Sequence, residues 1–361
     1  MKKILLSLFS LLSIFLFSSV YGTTIGIHGI QSVGADKILQ REQDNHTTLP
    51  LLGTIFDSYD DAESKFLSDT VHKLGTGRIY HISISPYGFT AAEVAEGRYD
   101  KRYNRFFDDI KKLNIKVVFR TMHEMNGGRY SWASAPEDFK RAWKRVRKLA
   151  RIKHNIQSDQ LLFSLSFNSQ DLPTTHTRPT QESPIEFCSE WKVKNKWRCP
   201  RKVDYYPGDG YVDLVGVTIY NRWRSRPDRR SQRKTPQQLL DEDGLLTGLQ
   251  QRGKPIIIDE LGTTAVEFSG TRSQSQTTTV FQQETSYKNS RIRQRRALLK
   301  KNSLIKAIVY FNIDATEWAT QQILWQADWS IIASPYHTDY REGTRWLTLY
   351  NKPNSLLRLF K

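Results

Sequence analysis

Eight short β-rich runs recur along the chain, and helix-patterned segments fill most of the gaps between them. The runs are Thr24–Gly29, Leu51–Asp57, Arg78–Ser85, Lys116–Glu124, Leu161–Asn168, Tyr211–Asn221, Pro255–Gly262 and Lys306–Asp314. Their cores read as near-continuous apolar stretches, as strands covered on both faces must. Between them, Tyr59–Leu74, Tyr99–Leu113, Pro136–Lys153, Pro236–Arg252 and part of Gln276–Lys301 carry helical spacing. Tyr59–Leu74 is expected to be capped by Asp57 or Ser58 and to stop before Gly75. This alternation predicts an α/β chain of the (β/α)8 TIM-barrel type in a single domain. The rival, an open doubly wound sheet, needs a glycine-rich phosphate loop after an early strand, and the sequence has none. No linker, internal repeat or low-complexity block marks a second domain.

The N-terminus has a different character. Residues 1–22 read as a signal peptide: Lys2 and Lys3 precede an apolar run, Ile4–Phe17, and Val20-Tyr21-Gly22 puts small residues where a signal peptidase cuts. The run is short for a membrane span. A secreted or periplasmic chain is therefore expected, starting near Thr23, with residues 23–361 forming the barrel. A long irregular insertion, 169–210, holds both cysteines, Cys188 and Cys199. In a secreted chain these are expected to form a disulfide closing a small loop. Without nearby histidine pairs they make a poor zinc site. Asn45-His46-Thr47 is a glycosylation sequon.

The formal charge of +17 raises the question of nucleic acid. The cations, however, gather in three surface-like places: the helix Lys140–Lys153, the polar loop Arg222–Lys234 and the helix Lys288–Lys301. In the first they alternate with Phe139, Trp143, Val146, Leu149 and Ile152, the pattern of a solvated outer face. No nucleic-acid partner is expected. Association with an anionic surface through the basic helices stays open, and it would be salt-dependent. A monomer is expected.

A barrel puts its chemistry at the C-terminal ends of its strands. The fourth run ends on His123 and Glu124, inside the stretch Lys116–Trp132, among Arg120, Asn126, Tyr130 and Trp132. The sixth ends on Tyr220-Asn221, the seventh on Asp259-Glu260, and the eighth carries Asn312 and Asp314. Two carboxylates facing each other across a barrel mouth are what double-displacement glycoside hydrolysis needs. One protonates the leaving oxygen, and the other attacks the anomeric carbon. Glu124, followed by Gly127-Gly128, suits the acid/base. Glu260, after three isoleucines, suits a rigidly held nucleophile, and Tyr220 could donate its hydroxyl to it. Along a strand, Arg120 would share a face with Glu124 and either line the site floor or pair with a buried acid. Trp318 could stack a sugar or simply pack. His28 and His81 end early strands and could bind sugar.

The blocks RTMHEMNGGRYSW, YVDLVGVTIYN and KPIIIDELG, in that order, resemble glycoside hydrolase family 26. This (β/α)8 family of clan A is best known for endo-β-1,4-mannanases and includes mixed-linkage β-glucanases and β-1,3-xylanases. The resemblance covers nearly the whole mature chain. It implies Glu124 as acid/base, Glu260 as nucleophile, His123 and Tyr220 as active-site partners, a polysaccharide substrate, and no metal or cofactor for the chemistry. Two positions depart from the family pattern. Arg129 stands where family mannanases usually carry Trp, and Thr218 where they often carry Asp. The expectation is therefore a secreted retaining endo-β-glycosidase, mannan-like at first guess, with β-glucan, xylan or an acidic glycan open. The alternative is a catalytically silent barrel that binds polysaccharide.

Overall fold

The computed structural model describes residues 23–44, 46–127, 130–133, 135–169, 192–193, 196–197, 200–221, 235–241, 244–263, 266–269, 302–311, 325–328 and 356–360. Outside them lie the signal peptide 1–22, Asn45, Arg129, Cys188, Cys199, Arg222–Lys234, Lys288–Lys301, Asn312, Asp314 and Trp318.

Eight parallel strands close into a barrel. They are β1 (Thr24–His28), β2 (Leu51–Phe56), β3 (Ile79–Ile84), β4 (Lys116–Thr121), β5 (Leu161–Asn168), β6 (Leu214–Asn221), β7 (Ile256–Thr263) and β8 (Ile305–Phe311). Each pairs with its neighbours in sequence, and β8 returns to β1 through Thr24–Ala307 to His28–Phe311. The chain is a (β/α)8 barrel.

Side chains alternate along each strand, so every strand feeds two cores. Inside the barrel, Leu51, Ile79, Val118, Leu162, Leu214, Ile257, Ala307 and Val309 form one apolar plug, sealed by Leu356 and Phe360 near the C-terminus. The alternate residues face outward into the helical layer. Phe119 of β4, for example, meets Phe106 of the helix that precedes it, with ring centroids 5.0 Å apart. The plug fills the bottom of the barrel and leaves polar residues to occupy the top.

The helices explain themselves locally. Helix α1 (Ala35–Asp44) and helix α2 (Asp61–Leu74) flank β2. Helix α2 is capped by Asp60, not by Asp57 or Ser58: its carboxylate accepts from the Ala62 amide at 3.0 Å, and Glu63 accepts from the Asp60 amide at 3.0 Å. The reciprocal box satisfies two orphan amides and decides the start. Helices α3 (Ala91–Glu96) and α4 (Asp100–Leu113) follow β3. Helix α4 buries Tyr103, Phe106, Phe107 and Ile110, and Asn114 ends it in the left-handed region.

Helix α5 (Pro136–Lys148) stops earlier than its sequence pattern suggests and passes into a π-helical turn, Leu149–Lys153. The wider turn breaks the apolar register, so Ile152 is 71% exposed instead of packed. Three of its cations are also committed. Arg145 chelates Asp100 at 2.9 and 2.6 Å, and Arg147 and Arg151 share Asp213. Pro236–Arg252 is two helices, α6 (Pro236–Asp241) and α7 (Leu245–Gln251), with Gly244 left-handed between them. The insertion is not wholly irregular: Lys192–Val193 pairs with Lys196–Trp197, and short 3-10 turns follow at Lys202–Tyr205 and Asp209–Tyr211. A second pair, Val266–Ser269 with Trp325–Asp328, follows β7.

Candidate active site

The top of the barrel gathers charge. The β4 strand does not run on to Glu124 but ends at Thr121. Met122 and Glu124 both take positive φ, 47° and 52°, on either side of His123. Side-chain-bearing residues pay about 1–3 kcal/mol for such conformations, which survive only when surroundings over-determine them. Those surroundings are visible. The Glu124 amide donates to the Ser166 carbonyl of β5 at 2.9 Å. Asn126 clamps the same strand, accepting from the Asn168 amide at 2.8 Å and donating to its carbonyl at 3.0 Å. Asn126 thus pins the turn and is wholly buried.

His123 points into this turn's cavity. Nδ1 lies 3.4 Å from Ser85 Oγ and Nε2 lies 3.2 Å from Tyr130 Oη. Burial, and then the Arg120 charge, hold its imidazole well below the usual histidine range, so it is neutral. Trp132 is buried behind it, donates from Nε1 to the His123 carbonyl at 2.9 Å, and stacks on Tyr130 with centroids 4.4 Å apart. Trp132 is therefore a backing wall. Tyr87, 47% exposed, stands edge-on to both rings.

Glu260 reaches the same space from β7. Arg120 Nη2 and Tyr220 Oη each donate to one of its carboxylate oxygens. Arg120 is fully buried and braced through Nε by Ser83 Oγ at 2.6 Å. It crosses the interior to pair with Glu260, so its two expected roles, floor and partner of a buried acid, are one. Burial and then the Glu260 charge push the Tyr220 hydroxyl well above its ordinary range, so it stays a donor. Glu124 is served differently: Thr218 Oγ1 donates to its Oε1. Thr218 is also the β6 residue in register with Glu260. One threonine therefore stands between the two carboxylates.

These partners separate the two acids chemically. Glu260 has a cation and a phenol as donors, the surroundings that suit a fixed carboxylate. The hydrogen bond drawn for Glu124 comes from a neutral hydroxyl, the surroundings that suit a group trading protons. Both remain about 5% exposed, within reach of a ligand.

The structure brings Arg120, His123, Glu124, Tyr220 and Glu260 together. Trp318, Cys188 and Cys199 lie outside the described residues. The two early histidines are both buried. His81 sits in mid-strand, wholly buried, with Nε2 2.8 Å from Asp259 Oδ1. His28 does end β1, but it is 2% exposed and stacks on Phe311. Sequence reasoning passed over Asp259, Ser164 and the Thr218 contact to Glu124. The adjacent Asp259-Glu260 pair was the available signal, because a regular strand would send one of them outward.

No protein-family model matches the chain. Solved structures do. A Cellulomonas fimi endo-beta-1,4-mannanase double mutant aligns with a TM-score of 0.55 at 13% identity, over 91% of this chain and 71% of that one. GH26C from Muricauda sp. MAR_2010_75 aligns at 0.52 and 13% identity, over 91% and 86%. The Bacillus subtilis mannanase man26 aligns at 0.50 and 14% identity, over 91% and 84%. In fold, the chain is like the proteins of glycoside hydrolase family 26. Among curated proteins, Endoglucanase H of Acetivibrio thermocellus is 22% identical over 242 residues, or 67% of this chain. The chain spans 23% of that protein's length.

Proposed function

We propose that the protein is a glycoside hydrolase of family 26, a retaining endo-β-glycosidase that cuts a β-linked polysaccharide by double displacement. The observation that carries this reading is the pairing at the barrel mouth: two glutamates from β7 and the turn after β4, with different donors and Thr218 between them. Glu124 protonates the glycosidic oxygen as the bond breaks. Glu260 attacks the anomeric carbon, and the ionised Glu124 then activates water for the second displacement. Neutral His123 shapes the pocket beside Glu124 without competing for its proton. Exposed Tyr87 offers a ring face at the rim for a sugar.

The relatives' names support a β-1,4-linked backbone. Two of the fold neighbours are mannanases by title, and the curated relative is named an endoglucanase. Mannan is the first substrate, with mixed-linkage glucan and xylan next. Lys2, Lys3 and the apolar run after them support export, and an exported chain supports a Cys188–Cys199 bridge.

The test sets wild type, Glu124→Ala and Glu260→Ala against mannan, glucomannan, mixed-linkage glucan, xylan and an acidic polysaccharide. Reducing-sugar release by the wild type, lost in both variants, is expected. Equal release by all three would refute the assignment, and binding without release by the wild type would mean a silent barrel. Proton NMR of the first product should show the β-anomer.

A further inference from the structure

Successive residues of a strand point to opposite faces. Asp259 and Glu260 do not. Pairing between β6 and β7 runs in step from Val215–Ile256 to Val217–Ile258 and resumes one residue later, at Thr218–Glu260. On the other side, β8 passes from Ile308–Ile258 to Tyr310–Leu261. The extra residue is Asp259, and the bulge turns both carboxylates into the barrel. Glu260 faces the mouth. Asp259 lies one layer deeper.

That deeper layer is built around the Asp259 carboxylate. His81 of β3 meets Oδ1 at 2.8 Å, and Ser164 of β5 donates to both oxygens at 3.1 and 3.0 Å. Asp259 and His81 are both wholly buried. Gly216 of β6 leaves the room: a Cβ there would fall 1.7 Å from Asp259 Oδ2 and 2.6 Å from Ser164 Oγ. Three strands thus converge on one acid that never reaches solvent. A barrel interior gains little stability from a buried carboxylate and its hydrogen-bond partners over apolar residues of similar size, so the layer serves something other than packing.

We propose that Asp259 is a positioning residue for Glu260: its three-strand cradle holds the bulge that aims Glu260 at the mouth. This rests on the glycosidase reading above. The charged and titratable groups around the pair are His28 from β1, His81 from β3, Arg120 from β4, His123 and Glu124 from the turn after it, and Tyr220 from β6. Asp57 lies past the end of β2. From β8 the apolar Phe311 packs edge-on against Tyr220, 5.5 Å between centroids.

Asp259→Asn keeps the shape and an acceptor for His81 but removes the charge. Misplacing a reacting group by ~1 Å costs about 100-fold in rate, so kcat should fall by about that factor with KM nearly constant. A loss confined to kcat marks misplacement of the reacting group, whereas general loosening of the mouth would raise KM as well. A kcat within about threefold of wild type, or a kcat and KM that worsen together, overturns the proposal. Circular dichroism and the thermal midpoint report folding. If Asp259→Asn does not fold, Ser164→Ala decides: a several-fold lower kcat at unchanged KM supports the proposal, and an unchanged kcat overturns it. A wild type that cleaves none of the polymers would sink the glycosidase reading and this proposal with it. A wild type that cleaves beside an indistinguishable Asp259→Asn would sink this proposal alone.

Discussion

The two glutamates differ in what touches them. Glu260 is held by Arg120 and Tyr220, and Glu124 by Thr218. A substrate that needs no acid assistance should expose the difference. With an aryl β-glycoside carrying an activated leaving group, Glu124→Ala should keep a fast first step, visible as a burst of released phenol. Glu260→Ala, lacking the attacking carboxylate, should show neither burst nor turnover. Equal loss in both variants on that substrate would contradict the assignment of roles. At the rim, Tyr87 meets Tyr130 and Trp132 in T-shaped contacts and is 47% exposed. Tyr87→Ala should raise KM for a long oligosaccharide about tenfold, the loss of a ~1.4 kcal/mol contact, with kcat little changed. Unaltered KM would remove Tyr87 from the binding surface.

The strands and helices were legible where one rule governed them and illegible where two competed. All eight barrel strands are where apolar β-rich runs put them, within a few residues at their ends. The end of β4 moved because Met122 and Glu124 adopt left-handed conformations that no propensity scale favours, held there by Ser166 and Asn168 of the next strand. The end of α5 moved because a π-helical turn intervenes. The start of α2 moved because Asp60 and Glu63 make a capping box. That box carries a prediction. Asp60→Ala should destabilise the protein, measured as a shift of the urea midpoint to lower concentration without a change in slope. A midpoint that does not move would show that packing alone holds the first turn.

Across the whole barrel, charge placement makes stability depend on pH. His28 and His123 are both buried and held well below the ordinary value of 6.5, by desolvation first and by the Arg120 charge second. Below about 6.5 the unfolded chain takes up protons at these positions that the folded chain refuses. Stability must then fall as pH drops, by up to ~1.4 kcal/mol per pH unit for each histidine. Above 6.5 neither adds a slope. Thermal midpoints between pH 7.5 and 5 should decline below 6.5, and His28→Gln should decline less steeply than wild type. Parallel curves would mean that His28 is protonated in the folded barrel.

Residue order alone was enough for the alternation of strands and helices, and so for the barrel. Burial patterns with periods of two and 3.6 are local properties of a chain. It was enough also to nominate Glu124, Glu260, Arg120, His123 and Tyr220, since a barrel presents its strand ends at one mouth. Contacts between distant residues had to wait for closure. Nothing near Asp259 in sequence announces that His81, 178 positions away, would meet it, or that Gly216 would stand aside for it. Thr218 could be read as a missing aspartate, but its hydroxyl on Glu124 is a fact of β6 lying two strands from β4. Closure of the sheet makes neighbours of residues the chain keeps far apart, and the chemistry of this barrel lies in those pairings.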